Sequence, residues 1–379
     1  MLPAPAAAQP DWLRSAEIVV PADLENRDCR TGVCQHNENT DLKRWKGAIY
    51  FVHRTAGSQI LGPNSSLRVY RSKDGGRTFG LRAVIPAPSD RDIRDPHFYK
   101  LGKRLYIKAI TRLEGFGLRD TGVDSISVET HSRDGRSWSP LRAIGPVRWG
   151  FWRVVKQGGV FYSAAYEDGD LRVVLYRSAD GEHWTAGPEI YGVSADTPLE
   201  TELVFTPSGK RLLALVRLDG TDSELFGHQG RLRTKVCWAE RPYHEFACPQ
   251  ELTGVRLDGP VAFYWKKRLF VIARKHLQGA GIRKRTALYE ITGNLEGGPI
   301  AIVEWGELPS AGDTSYAGIV RIEGPRFLTT WYSSPPAEDP SWITGFFGPT
   351  DIWKAKLDLS RLAKPPGQAS GRRRIRPRL

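Results

Sequence analysis

The sequence predicts an all-β chain folded as a six-bladed β-propeller. One observation is a turn written three times: Ser72-Lys73-Asp74-Gly75-Gly76-Arg77-Thr78-Phe79, Ser132-Arg133-Asp134-Gly135-Arg136-Ser137-Trp138 and Ser178-Ala179-Asp180-Gly181-Glu182-His183-Trp184. Their serines lie 60 and 46 residues apart, a period suited to propeller blades. A second is a series of strand groups whose first strands begin near residues 96, 152, 202, 260 and 316, at intervals of 56, 50, 58 and 56. A third is composition: 39 Gly and 26 Pro beside 12 Trp, 13 Tyr and 14 Phe suit short strands and tight turns. Long helices are not evident, and a two-sheet sandwich fits six regular units poorly.

The turns have a simple physical basis. Gly tolerates positive φ, and Asp accepts hydrogen bonds from nearby backbone N–H groups. The serine holds the other side, and the final aromatic packs back under the hairpin. Such a unit anchors the outer strands of a blade and carries no chemistry.

The units follow in order. In the first, the opening strand falls within His36–Leu42, followed by 47–53 and 67–70. The second has 96–99, 104–109 and 125–130; the third 152–155, 160–164 and 171–176. The fourth has 202–205, 211–217 and 235–238; the fifth 260–264, 269–273 and 287–290. The sixth has 316–320, 326–332 and 351–355, and residues 16–20 are expected to add its outer strand and clasp the ring. Polar turns such as Lys100–Lys103 and Pro207–Lys210 join first and second strands. The propeller is thus expected over residues 16–359, after a flexible leader (1–15) and before a basic disordered tail (360–379).

The formal charge of +13 is uneven. Arg361, Lys364, Arg372, Arg373, Arg374, Arg376 and Arg378 place seven cations in the tail with no acid, which reads as a solvated terminus. No zinc-finger, RNA-binding or helix-turn-helix pattern supports a specific nucleic-acid partner. No stretch is apolar and long enough to span a membrane. The Ala/Pro-rich start is not an intact signal peptide and reads as the remnant of one or a plain leader. Cys29/Cys34 and Cys237/Cys248 form two close pairs, either local disulfides or free buried thiols. Together these features point to a secreted or periplasmic protein. No cysteine spacing suggests zinc, and the sequence calls for no metal or cofactor.

In a propeller the first strands line the axis, so polar residues on them converge at one face. Those residues are His36, Glu38 and Asp41; Asp92, Arg94, Asp95 and His97; Arg153; Glu200, Glu202 and Arg217; Asp258 and Arg274; and Asp313 and Tyr316. Each can instead hold a loop, since buried polar groups need partners. Their recurrence at equivalent positions points to an anionic or strongly hydroxylated ligand, with arginine forks for a carboxylate and paired carboxylates for a glycosidic bond. A tyrosine beside a carboxylate is a potential nucleophile. Trp149, Phe151 and Trp152 offer faces for sugar stacking or for the core.

At these residues the chain resembles the sialidase superfamily. The three Ser-x-Asp-x-Gly turns are similar to that family's Asp boxes, Ser72–Phe79 in full and the other two one residue shorter. The segment Glu202–Arg217 resembles the family's fourth-blade segment, and Ser315-Tyr316-Ala317-Gly318 its tyrosine segment. The resemblance implies a glycan or oligosaccharide substrate and an exo-glycosidase with Tyr316 as nucleophile and Glu202 as its helper, Glu200 being the alternative. It implies Arg217 and Arg274 as arginines for the substrate carboxylate; among the axial residues Asp95 is the choice for acid/base, ahead of Asp92, Asp313 and Glu38, and Arg94, His97, Glu38, Asp313 and Trp152 are the further candidates for substrate binding. The family's first-blade Arg-Ile-Pro motif is absent. Ile93-Arg94-Asp95-Pro96-His97 has a likeness to it in the second unit, and also to the Arg-Asp-Pro segment of some five-bladed glycosidases. A non-catalytic carbohydrate-binding propeller, an interaction propeller, and a polysaccharide lyase using His97 and Tyr316 on a uronate are the other readings.

Overall fold

Six four-stranded antiparallel sheets succeed one another around an axis in the computed structural model, which describes residues 10–60, 62, 64–89, 91–113, 125–167, 171–220, 232–277 and 282–362. A strand near the start, β1 (Leu13–Val20), precedes the first blade. Blade 1 runs outward as β2 (His36–Trp45), β3 (Ala48–Ala56), β4 (Ser66–Ser72) and β5 (Gly80–Pro86). Blade 2 is β6 (Arg91–Leu101), β7 (Arg104–Leu113), β8 (Ile126–Ser132) and β9 (Arg142–Ala143). Blade 3 is β10 (Trp149–Gln157), β11 (Val160–Glu167), β12 (Val173–Ser178) and β13 (Thr185–Tyr191). Blade 4 is β14 (Pro198–Phe205), β15 (Arg211–Leu218), β16 (Arg233–Glu240) and β17 (Ala247–Thr253). Blade 5 is β18 (Asp258–Trp265), β19 (Arg268–His276), β20 (Lys284–Gly293) and β21 (Ile300–Leu308). Blade 6 is β22 (Ala311–Glu323), β23 (Arg326–Ser334) and β24 (Asp351–Asp358), completed by β1, which pairs with β24. The chain therefore closes its own ring, and the sheet edge that β24 would expose is covered.

The six-bladed fold matches the sequence expectation, and so does the clasp. Five first strands start two to five residues earlier than their apolar runs. The outer strands β5, β9, β13, β17 and β21 went unread. Their faces are largely exposed or half-buried, so they lack the apolar alternation that marks a strand.

Packing is between blades rather than around one center. Val52, Val69, Ile93 and Ile107 join blades 1 and 2; Tyr162, Leu175, Leu203 and Leu212 join blades 3 and 4; Leu213, Val236, Leu269 and Val271 join blades 4 and 5. Face-to-face burial of this kind is the main stabilising term.

The three repeated turns link the third and fourth strands of blades 1, 2 and 3. In each, serine Oγ donates to the Asp carboxylate and accepts a backbone N–H, from Gly76, Gly135 or Gly181. The Asp carboxylate accepts two backbone N–H groups further along the turn, those of Arg77 and Thr78, Arg136 and Ser137, or Glu182 and His183. Phe79 and Trp184 pack edge-on against Phe51 and Phe151.

Cys29–Cys34 and Cys237–Cys248 are both disulfides. Pairing in β1 begins at Leu13, inside the expected leader. Residues 1–9 and 363–379, which hold most of that leader and of the basic tail, lie outside the described residues. None of the described helices is long and apolar enough to cross a membrane.

Candidate active site

All six first strands break register at the same level: Glu38/Asp41, Arg94/His97, Phe151/Val154, Pro198/Thr201, Asp258/Val261 and Ser315/Gly318. A bulge adds residues to one strand and re-aims side chains. Asn39, Asp95 and Tyr316 sit within these bulges at φ of 53°, 52° and 48°, a region unfavourable for residues with a Cβ. Backbone strain thus gathers at one level of the axis, and the bulge residues there surround a cavity of about 170 Å³.

Arg153 ties the inner strands to one another. Its guanidinium donates to Asp41 Oδ1 (2.9 Å), to the carbonyl of Pro260 (3.3 Å) and to the carbonyl of Ala317 (2.8 Å), tying blade 3 to blades 1, 5 and 6.

Tyr316 stands in the pocket wall. Its hydroxyl donates to Glu200 Oε1 at 2.5 Å and accepts from Arg217 Nη1 at 3.1 Å. Arg217 also meets Glu200 Oε2 at 2.9 Å and forms two bonds with Asp219. Burial, reinforced by the charge of Glu200, holds the Tyr316 hydroxyl well above its usual pKa, with Arg217 and Arg274 opposing. The phenol is therefore protonated at rest, with a carboxylate in position to take the proton. The ring is seated against Gly259, whose φ is +55° and where a Cβ would lie 2.6 Å from Tyr316 Cγ. Arg274 stacks over the ring's other surroundings with its guanidinium carbon 5.0 Å from the ring center.

Asp95 lines the same pocket and accepts a hydrogen bond from Asn39 Nδ2. Burial, then the charge of Glu200, pushes its carboxyl up to about 7, with Arg94 working against the shift. It is a carboxylic acid that keeps its proton into neutral pH, the property a general acid needs. Arg94 and Arg274 also line the pocket, each with two nitrogens engaged. Arg94 uses Nε and Nη2 on Asp92 and Gln59, and Arg274 uses Nε and Nη2 on Thr314, Asp313 and Tyr332.

Of the ten residues the sequence put first, five meet around one cavity, Asp95, Arg94, Arg217, Arg274 and Tyr316, and Glu200, the alternative helper, joins them. Five do not. Glu202 lies one rung below Glu200 on β14, accepting from the Ala262 N–H and facing Arg153 at 3.8 Å. The carboxylate beside Tyr316 is Glu200, because the β14 bulge places it at the mouth and leaves Glu202 at the floor. His97 is buried against Trp152 with ring centers 4.7 Å apart, and burial keeps it neutral, its pKa well below the usual value. Trp152 is wholly buried, and Trp149 and Phe151 are core as well. Glu38 and Asp313 sit behind the wall: Glu38 binds Arg54 at 2.6 Å, and Asp313 binds Arg274 at 2.9 Å.

Asn39, Gln59, Arg112, Tyr166, Tyr332 and Trp342 also line the pocket and were missed. Asn39 follows Glu38 and carried a positional signal, but bulges are invisible in sequence. Trp342 belongs to α1 (Trp342–Phe347), a short helix between β23 and β24, with Ser341 capping its start by accepting the Thr344 N–H. Nothing in the strand periodicity marks that segment as part of the rim.

No protein-family model matches the chain, and no curated protein matches it. Solved structures with the same fold are numerous. A protein of unknown function from Dyadobacter fermentans aligns at TM-score 0.60 and 16% identity, covering 90% of this chain and 99% of the other. Trypanosoma rangeli sialidase in complex with 2,3-difluorosialic acid, a covalent intermediate, aligns at TM-score 0.62 and 13% identity, covering 92% of this chain and 60% of the sialidase. Penicillium chrysogenum α-L-arabinanase complexed with arabinobiose aligns at TM-score 0.60 and 14% identity, covering 92% and 99%. The chain spans about three-fifths of the sialidase it resembles. At these identities the likeness is one of fold.

Proposed function

We propose that the chain is a retaining exo-glycosidase acting on a terminal acidic sugar of a glycan. The observation that carries this reading is the 2.5 Å contact between Tyr316 and Glu200 in a pocket that also holds Arg217, Arg274, Arg94 and Asp95. Glu200 accepts the phenolic proton as Tyr316 Oη attacks the anomeric carbon. Asp95 gives its proton to the departing glycosidic oxygen. Water, deprotonated by Asp95, then cleaves the tyrosyl–sugar bond, and the phenol recovers its proton from Glu200. The arginines supply the positive wall that an anionic sugar would meet. The sialidase and arabinanase structures that share the fold support a carbohydrate substrate. Two disulfides fit an exported protein. The expected leader, basic tail and boundaries of the propeller belong to the same proposal.

A polysaccharide lyase drawing on His97 finds less support, since His97 is buried behind Trp152 and absent from the pocket wall. The test is a screen of glycans and aryl glycosides of acidic sugars, with products identified by mass spectrometry. Hydrolysis with one new reducing end is expected. Tyr316→Phe should lose about four orders of magnitude in turnover with the fold intact, and Glu200→Gln should fall far more than Glu202→Gln. Unchanged turnover in Tyr316→Phe would reject the mechanism. Binding without cleavage would favour a lectin-like propeller, and an unsaturated product a lyase.

A further inference from the structure

Behind the pocket wall, blades 1 and 6 bring together three side chains that face one another without hydrogen-bond partners for the facing atoms. These are His36 Nε2, Glu38 Oε2 and Asp313 Oδ2, on residues no more than 1% exposed. The three atoms lie within 4.8 Å of one another, and among the described residues this is the one such group of potential metal ligands. Nε2 is 3.4 Å from Asp313 Oδ2 and 3.6 Å from Glu38 Oε2, long for hydrogen bonds. Unpaired lone pairs in a dry interior are costly, so the arrangement needs a positive occupant.

The outer atoms of all three residues are already held. His36 Nδ1 donates to the Gly348 carbonyl at 3.0 Å, so Nε2 is the nitrogen left to face a cation or a proton. Glu38 Oε1 takes Arg54 Nη1. Asp313 Oδ1 takes Arg274 Nη2, the Tyr332 hydroxyl and Trp342 Nε1. An imidazole fixed through its far nitrogen and carboxylates fixed through their far oxygens are the outer contacts that orient ligands around a metal. Atoms bound about 2.1 Å from a tetrahedral ion lie roughly 3.4 Å apart, which is the spacing on the imidazole side.

We propose that His36, Glu38 and Asp313 form a buried site for a divalent d-block cation of the zinc type. One imidazole and two carboxylates suit such an ion, with a water in the fourth position. The ion would bolt the opening strand of blade 1 to that of blade 6 at the ring closure, and stiffen Asp313, which holds Arg274 and Trp342 in the pocket wall. The rival occupant is a proton. Burial opposes a charge on His36, but Asp313 and Glu38 outweigh it and raise its pKa to about 9. Arg54 and Arg274 nearby weigh against a doubly charged ion, so the choice is decided by binding.

The experiment uses the full chain, stripped with chelator, incubated with zinc chloride and desalted. Metal is then counted by mass spectrometry. The wild type is expected to retain about one zinc per chain, and its melting temperature to rise with zinc concentration. Glu38→Gln and Asp313→Asn should each cut retention at least tenfold, and His36→Gln should abolish it. Circular dichroism identifies the variants that remain folded, and Glu38→Gln is the mildest of them. Tyr316→Phe should retain zinc as the wild type does, whatever its activity. A wild type without zinc above background, equal retention in the folded variants, or a His36 ring that stays doubly protonated by ¹⁵N NMR in excess zinc would overturn the proposal. None of these outcomes bears on the glycosidase reading, which is tested by turnover.

Discussion

Asp95 and Glu200 are both carboxyls of one pocket, and their surroundings set them different tasks. Glu200 is held by Arg217 and by the Tyr316 hydroxyl, which points its carboxylate at the phenolic proton. Asp95 is buried and repelled by Glu200, so it holds its proton up to about pH 7. The sign of the pH dependence follows. Below about 7 the acid is loaded, and above it the acid ionises and the leaving group goes unprotonated. Turnover should therefore fall on the alkaline side with an apparent midpoint near 7. Asp95→Asn should lose about two to four orders of magnitude on substrates with poor leaving groups and lose that limb. An activated aryl glycoside, which needs no protonation, should restore the first step, seen as a burst of released phenol, while cleavage of the tyrosyl–sugar bond, which uses Asp95 as base, stays slow. An unchanged alkaline limb in Asp95→Asn would remove Asp95 from the role.

The inner strands act as elements through their bulges. Each one gains residues early in its run, so side chains there turn into the pocket. This is why Glu200 and not Glu202 reaches Tyr316, although two residues apart on a regular strand would share a face. Gly259, in the β18 bulge, is fitted to the Tyr316 ring at a φ of +55°. Gly259→Ala puts a methyl group into that ring and a left-handed residue into β18. The expected stability loss is about 1–2 kcal/mol from the backbone alone. Turnover should drop about a hundredfold as the ring is displaced, which steady-state kinetics and a thermal melt would separate. A variant with normal kinetics would show that the ring's seat is not needed. The outer turns, by contrast, sit at the blade edges and set only the register of the scaffold.

At the scale of the whole molecule, stability rests on ring closure. Blade 6 is incomplete without β1, and Trp12 and Leu13 pack into the blade 5–6 core beside Ala355 and Leu357. Removing residues 1–20 should strip two large buried side chains and expose the β24 edge. The melting temperature should fall by several degrees or more, since burying one such side chain contributes roughly 1.5–3 kcal/mol. Light scattering should register association through the bared edge. A truncated chain that melts as the full one would show that the clasp contributes nothing.

The blade count, the clasp and six of the pocket residues were legible in the sequence because they repeat. Apolar strand cores recur at a fixed interval, and a polar residue at a fixed offset on each first strand has to reach the axis. What the sequence alone determined was therefore the scaffold and the set of side chains available at its center. The tertiary structure decided which of them meet. Six bulges, left-handed backbone at Asn39, Asp95 and Tyr316, and a helix inserted between β23 and β24 chose Glu200 over Glu202, buried His97 and Trp152, and brought Trp342 to the rim. A periodic pattern cannot encode those choices, because a bulge shifts side chains by one position without altering which residues are apolar. Contacts between blades far apart in sequence, such as Arg153 with Asp41 and Tyr316 with Glu200, arise only when the ring closes.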